Sequence, residues 1–447
     1  MSACAKKCRH DVRIESRGAL TLRIGLAGLG TVGAGVLRLL RDNSELIAAR
    51  AGQPIAVTAV SARARGRDRG IALDGLRWLD DPVALANDPA VDAVVELMGG
   101  SEGSALALAE AAIGRGRPFI TANKALIAVH GAALARAAEA NGTPLAFEAA
   151  VAGGIPVIKA LREGLAANHI SRVAGILNGT CNYILTAMRE QKREFADVLA
   201  EAQALGYAEA DPSFDIDGVD TAHKLAILAA LAFGRPVAFG AVHIEGIRHV
   251  SALDIGFAEE LGYRIKLLGI ARRVGDGVEQ RVHPCMVPAT ASIARVDGVF
   301  NAVVAEGDAV GRIMLEGRGA GAGPTASAVV ADLIDLARGR LTPSWGAALA
   351  TLGAANTLPI DAHVGAYYLR LMVIDRPGVI ADVTAVLRDY SISLGSLLQH
   401  GRSPGEAVPV VLVTHDTQEA SMRAALQRIA ALDAVLEPPA LIRIEPG

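Results

Sequence analysis

One stretch of this 447-residue chain limits its fold more than any other: LRIGLAGLGTVGAGVLRLL. It reads as an apolar strand, a tight turn and a helix, with Gly28, Gly30 and Gly33 spelling G-x-G-x-x-G across the junction. Small residues there let the backbone approach a pyrophosphate lying on the helix N-terminus, at Thr31 and Val32. Three glycines alone would mark no more than a turn. The flanking strand and helix, and the strand–helix units that follow, make a dinucleotide-binding unit the better reading.

The next strand, PIAVTAV, ends at Ser61-Ala62, where a site built for NAD usually offers an acid to the ribose hydroxyls. Arg63, Arg65 and Arg67 follow instead. A guanidinium at Arg63 suits a 2′-phosphate, so NADP is expected in preference to NAD, with NAD still possible; the bland alternative is a solvated basic loop. Further strands at VDAVVELMGG, PFITANKALIA and PLAFEAAVAGGIPVI alternate with helical stretches, which implies a doubly wound parallel sheet over 21–156. Ligands on such sheets collect at the carboxyl ends of the strands, which places Gly99, Gly100, Asn123, Lys124 and Glu148 around one crevice.

From about residue 157 the rhythm changes to an α+β pattern that runs to 316, with strands expected at YRIKLLGIARRV, QRVHPCMVP and NAVVAEG. EGRGAGAGPTASAVVADLIDLARG reads as a glycine turn and a helix of small residues. Residues 317–345 are therefore expected to cross back to the first unit, with Gly323 beside the cofactor. Gly and Pro punctuate 346–363, a linker by composition. Residues 364–447 show the order βαββαβ of a small ferredoxin-like domain.

The net charge of −3 argues against electrostatic binding of nucleic acid, and no uninterrupted apolar run is long enough to span a bilayer. The basic residues 1–20 lack a following apolar core and read as a mobile tail rather than a secretory signal. Four cysteines in this length do not make a disulfide framework, and Cys4, Cys8 and His10 have no second ligand pair at zinc-site spacing. A cytoplasmic protein is expected.

The densest charge lies in GYAEADPSFDIDGVDTAHKLAIL: Glu209, Asp211, Asp215, Asp217 and Asp220, then a single lysine, Lys224. Asp217, three residues before Asp220, resembles an acidic helix cap, with the helix continuing through Leu225 and Leu228. Asp220 and Lys224 are i and i+4, so they share a face and can pair. A lysine held among carboxylates can carry a proton to or from a substrate, although the same spacing also describes an ordinary capped helix with a surface ion pair.

The chain from about Leu22 onward resembles homoserine dehydrogenase in the form that carries a C-terminal ACT domain. The likeness rests on GLAGLGTVG, ELMGG, TANKALIA, AAVAGGIPVI, LNGTCNYIL, GAGAGPTASAVVADL and, most specifically, the acidic run with its D-x-x-G-x-D-x-x-x-K pattern. The resemblance implies NAD(P)-dependent interconversion of L-homoserine and L-aspartate 4-semialdehyde, in the biosynthesis of threonine, methionine and isoleucine. It puts Lys224 at the acid/base position and Glu209 and Asp220 at the positions that hold substrate. Asp215 lies beside Lys224 as a tuning carboxylate, and Lys124 is in reach of the reacting oxygen or carboxylate. It matches Glu148 and the carbonyls of Val151, Gly153 and Ile155 to a monovalent-cation site, usually sodium, and sets Asn178, Gly179 and Thr180 along the pocket. It further implies a homodimer or homotetramer, and an amino-acid effector, threonine, at the VIDRPGVIADV junction near Asp375 and Gly378. A chain cut near Ala362 would then stay active and ignore threonine.

Two rivals remain at this level. Cys181 is the thiol of LNGTCNYIL and would serve a cysteine-dependent semialdehyde dehydrogenase, but no histidine base is evident beside it. A non-catalytic sensor of nucleotide and amino acid would keep the glycine turn and the C-terminal unit, yet would not need Lys224 among carboxylates.

Overall fold

A computed structural model describes residues 21–340, 342–401 and 403–447. The expected N-terminal tail and Cys4, Cys8 and His10 lie outside the described residues. Strands β1 (Leu22–Ala27), β2 (Ile55–Ser61), β3 (Arg77–Trp78), β4 (Ala93–Glu96), β5 (Phe119–Thr121) and β6 (Leu145–Ala146) form one parallel sheet in the order β3-β2-β1-β4-β5-β6. The central strands are apolar without alternation because helices cover both faces. Those helices include α1 (Thr31–Asp42), α2 (Ser44–Ala51), α3 (Ser104–Gly114) and α4 (Lys124–Ala140). Strand order reverses at β1, so β2 and β4 flank it and a crevice opens beyond the carboxyl ends of β1 and β4.

A second, mixed sheet begins with β7 (Ile170–Ile176), β8 (His243–Ile244), β9 (Tyr263–Val274), β10 (Gly277–Pro288), β11 (Phe300–Gly307) and β12 (Gly311–Arg318). Strand β12 was not among the expected strands, and only its last three residues overlap the start of the expected glycine turn. Its eight residues are half exposed at the sheet edge, so they carry little of the apolar alternation that marks a strand. Around the sheet lie α5 (Val157–Lys159), α6 (Gly179–Gln191), α7 (Phe195–Ala204), α8 (Ser213–Ile216), α9 (Val219–Phe233) and α10 (Ala252–Glu260). Helix α9 is apolar almost all round and is buried against β7, β9, β10 and α4. Helix α11 (Ala322–Ala337) packs on α1, with Val329 and Leu333 in one core with Val36 and Leu37.

The remaining strands are β13 (Thr357–Leu358), β14 (Val364–Ile374), β15 (Leu394–Gln399), β16 (Ala407–Thr414), β17 (Thr417–Gln418) and β18 (Ala440–Ile444). With α12 (Val379–Asp389) and α13 (Glu419–Ala430), all of these but β13 form a ferredoxin-like unit, order β18-β14-β16-β15 with β17 beside β14, around a core of its own. The segment expected as a linker is tied down, since Thr357 and Leu358 pair with β10 and the amide of Leu349 donates to Glu139 at 3.0 Å. Nor is the C-terminal unit hung on a tether. Strand β18 pairs with β14 on one side and, in parallel, with β10 on the other, so the two sheets are one.

Candidate active site

The chain leaves β7 through Leu177 and Asn178, and Asn178 caps α6 by accepting from the Cys181 amide at 2.8 Å. Its amide nitrogen has two protons to give, and both are used: one to Asp215 at 2.8 Å, one to Asp220 at 2.9 Å. Thr180 donates to the other oxygen of Asp215 at 3.1 Å. The cap expected from Asp217 is absent. Gly218 stands at that position with φ 86°, because the chain must turn left-handed between α8 and α9, and Asp217 instead pairs with Arg248. Asp220 falls in the first turn of α9, where the helix dipole favours a carboxylate.

The i, i+4 pair is formed. Lys224 Nζ donates to Asp220 Oδ2 at 2.6 Å and to the Leu177 carbonyl at 2.7 Å. The other Asp220 oxygen lies 3.2 Å from the Nζ of Lys124, the first residue of α4. One buried carboxylate thus joins two lysines that reach it from different lobes. Burial pushes the Asp220 carboxyl up, but the charges of Lys224 and Lys124 and the hydrogen bonds from Lys224 and Asn178 outweigh it. They hold the group well below the ordinary carboxylate range.

Both lysines line a cleft of about 610 Å³, whose walls include Val32, Gly99, His223 and Phe214. A Cβ at Gly28 would stand 2.6 Å from the Leu97 carbonyl oxygen, and one at Gly33 would collide with the Gly28 carbonyl. Among the described residues there is open space at Gly30, and no side chain caps α1. A pyrophosphate therefore meets both room and unpaired amides at Thr31 and Val32, so the residues present fit a dinucleotide. Arg63 is exposed two residues beyond the end of β2. The neighbouring Arg69 fastens that loop to the glycine turn through the Leu29 carbonyl at 3.1 Å. Gly323 lies in the first turn of α11 but does not line the cleft, whereas Gly321 does. Glu209 is exposed on the loop after α7 and does not line it either.

Two contributors, Glu96 and His223, had no distinct signal in the sequence. Glu96 is fully buried at the end of β4 and accepts from the amides of Met98 at 2.6 Å and Gly99 at 3.1 Å, and from Thr121 at 2.6 Å. It fixes the glycine pair of ELMGG, and an acid just before two glycines was the only hint. His223 stacks on Phe239 at 4.2 Å and lies 5.6 Å from Phe214, so the lysines are flanked by rings. Burial lowers the His223 pKa, against the charge of Asp220.

Cys181 does not offer a nucleophile. It is buried, its Sγ donates to the Asp215 carbonyl at 3.2 Å, and burial with Asp215 and Asp220 nearby raises the thiol well above its ordinary value. The Glu148 carboxylate accepts from the amides of Ile158 at 3.0 Å and Lys159 at 2.9 Å, and burial next to Asp332 pushes it up to about 7. The Ile155 carbonyl takes the Val157 amide at 2.7 Å, while those of Val151 and Gly153 have no hydrogen-bond donor among the described residues.

A glycine turn facing two lysines across a cleft between lobes is an arrangement that other proteins share. Family models described as homoserine dehydrogenase, NAD binding domain, as homoserine dehydrogenase, and as ACT domain match residues 28–148, 156–334 and 367–434. The homoserine dehydrogenase of Neisseria gonorrhoeae is 47% identical over 95% of this chain and 98% of its own length; that of Pseudomonas aeruginosa is 47% identical over 95% and 99%. The crystal structure of a homoserine dehydrogenase from Thiobacillus denitrificans superposes with a TM-score of 0.91 at 49% identity, over 96% of this chain and 99% of that one. A hyperthermophilic archaeal homoserine dehydrogenase in complex with NADPH aligns at 0.61 and 27% identity, over 71% of this chain and 97% of that one. With its three parts matched in order and relatives aligned over nearly their whole length, this chain belongs to the homoserine dehydrogenase family of NAD(P)-dependent oxidoreductases.

Proposed function

We propose that this chain interconverts L-homoserine and L-aspartate 4-semialdehyde, with Lys224 as the acid/base and NADP as the preferred cofactor. The observation that carries the reading is Asp220 bridging Lys224 and Lys124 on the cleft wall. An ammonium has three protons, and Asp220 and Leu177 take two of those on Lys224, which leaves one for a substrate oxygen. In the reductive direction that proton goes to the oxygen as the aldehyde carbon gains hydride; in the oxidative direction the hydroxyl proton returns to the amine. The nicotinamide, when bound, supplies or accepts the hydride. Lys124, with protons to spare beyond its contact with Asp220, stabilises the developing alkoxide or holds the substrate carboxylate. Asp215 is occupied by Asn178 and Thr180, so it orients the pair, and Glu209, exposed on the loop after α7, is the carboxylate assigned to the substrate ammonium.

Homoserine-dependent reduction of NADP and of NAD tests this directly. Lys224→Ala should lose about 10²–10⁴-fold in kcat while still binding NADPH, and Cys181→Ala should stay active. A Lys224→Ala enzyme with normal kcat, or a dead Cys181→Ala enzyme, would sink the assignment. Arg63→Ala should raise the KM for NADP about tenfold and leave that for NAD unchanged, because only NADP carries a phosphate for the guanidinium. Equal changes for both would mean a solvated loop charge.

Two finer readings share that assay. Oxygen donors around Glu148, with the Val151 and Gly153 carbonyls unpaired among the described residues, fit a hard monovalent ion, and replacing sodium with choline in the assay buffer should lower the melting temperature. Threonine is the proposed effector. Gly378 opens α12 with φ 99° and no side-chain cap, and the Asp375 carboxylate beside it already holds the Ser403 amide at 2.7 Å. Turnover unchanged by threonine would remove it as the effector.

A further inference from the structure

A short segment after β8 is gripped from two sides. On one side it is packed against the start of the catalytic helix. The Ile247 amide donates to the Ile216 carbonyl at 2.9 Å, and Arg248 pairs with Asp217. A Cβ on Gly246 would stand 2.5 Å from Cα of Asp217, and one on Gly218 would stand 3.4 Å from the Glu245 carbonyl oxygen. Residues 244–247 therefore bear on 216–218, the turn that launches α9 with Asp220 and Lys224. On the other side the segment is held by the C-terminal domain. Arg443 in β18 is 2% exposed and donates to the two oxygens of Glu245 at 2.8 and 2.9 Å. The same guanidinium donates to Glu419 of α13, so its orientation is fixed from within its own domain. Bidentate pairing of this kind sets direction as well as distance.

We propose that Glu245 is a positioning residue for the catalytic helix, and that Arg443 of the C-terminal domain holds Glu245 in place. The inference rests on the roles proposed above for Asp220 and Lys224. Its physical content is a chain of direct contacts, from Arg443 to Glu245, from 245–247 to 216–218, and from there into α9. A small tilt of that first turn moves Asp220 off one of its two lysines, and misplacement by about 1 Å can cost on the order of 10²-fold in rate.

The test uses the full chain and three variants: Glu245→Gln, Glu245→Asp and Arg443→Lys. Glu245 is one-third exposed and Arg443 keeps Glu419 as a partner, so each variant is expected to fold, which thermal melts of each check first. Glu245→Gln should lower kcat/KM for homoserine by about 10- to 100-fold, with the affinity for NADPH, read by fluorescence, unchanged. Glu245→Asp keeps the charge for Arg443 and should recover part of that loss. Combining Glu245→Gln with Arg443→Lys should cost no more than the worse single change, because both break one link. Wild-type kcat/KM in Glu245→Gln, or a parallel loss of NADPH affinity, would overturn the proposal. So would an Asp variant no better than Gln, or additive losses in the double variant. Lys224→Ala measured alongside keeps the two failures apart: if it retains turnover, the proposed catalytic roles fall first.

Discussion

At the scale of single residues, Asp220 governs the site because it is the one carboxylate both lysines share. Its folded-state pKa lies below its unfolded value, so the stability it contributes is present above about pH 4 and is lost as the pH falls through the folded value. Asp220→Asn should therefore be destabilised at neutral pH, with a gap from the wild type that narrows as urea melts are taken below pH 4. A gap that stays constant across that range would mean that the carboxylate is not held ionised by its partners. The same substitution leaves two ammonium groups facing each other. It should raise the KM for homoserine and lower kcat, where loss of a mere binding contact would raise KM alone.

At the scale of elements, the turn between β1 and α1 depends on the absence of side chains. Gly33→Ala would drive a methyl into the Gly28 carbonyl, so the turn or the helix must move. We expect a stability loss of at least ~1–3 kcal/mol and loss of NADPH binding, read by thermal melts with and without the nucleotide. Unchanged stabilisation by NADPH would show that the turn is not the pyrophosphate site. This turn could be read from the sequence because its constraint is local: three glycines, a strand before, a helix after. Asp220 and Lys224 could be read for the same reason, since helical spacing alone brings them together. The meeting of Lys124 with Asp220 could not, because it depends on how α4 packs against α9 across two lobes. Nor could Glu96, since an acid at a strand end reads as exposed and only the folded turn shows its three donors. Strand β12 escaped because an edge strand is under little pressure to alternate. The cap assigned to Asp217 failed because the left-handed turn between α8 and α9 required Gly218 at that place.

At the scale of the whole molecule, the C-terminal unit is built into the sheet that supports the catalytic helix. Cutting near Ala362 would remove β18, expose the edge of β10, and strip Arg281, 1% exposed, of Glu445 at 2.6 Å. Among the described residues Arg281 would keep only Glu279 as an ion-pair partner, at 3.7 Å, and breaking a buried pair costs up to about 3–5 kcal/mol. The structure thus replaces the expectation of an active, threonine-blind fragment with one of a poorly soluble and largely inactive fragment. A soluble fragment with full homoserine-dependent turnover would show that the catalytic sheet closes without β18. There is also a consequence for how the protein comes apart. A five-residue strand beside a small domain would ordinarily exchange its amide protons freely, yet β18 pairs with β14 along its length and with β10 at Arg443 and Ile444. Deuterium uptake at 443–444 should be as slow as at the centre of β10, and calorimetry should register one endotherm for the two units. The binding fold of the effector and the chemistry it is proposed to govern would then melt together, so a loosened C-terminal domain would first be noticed as lost catalysis.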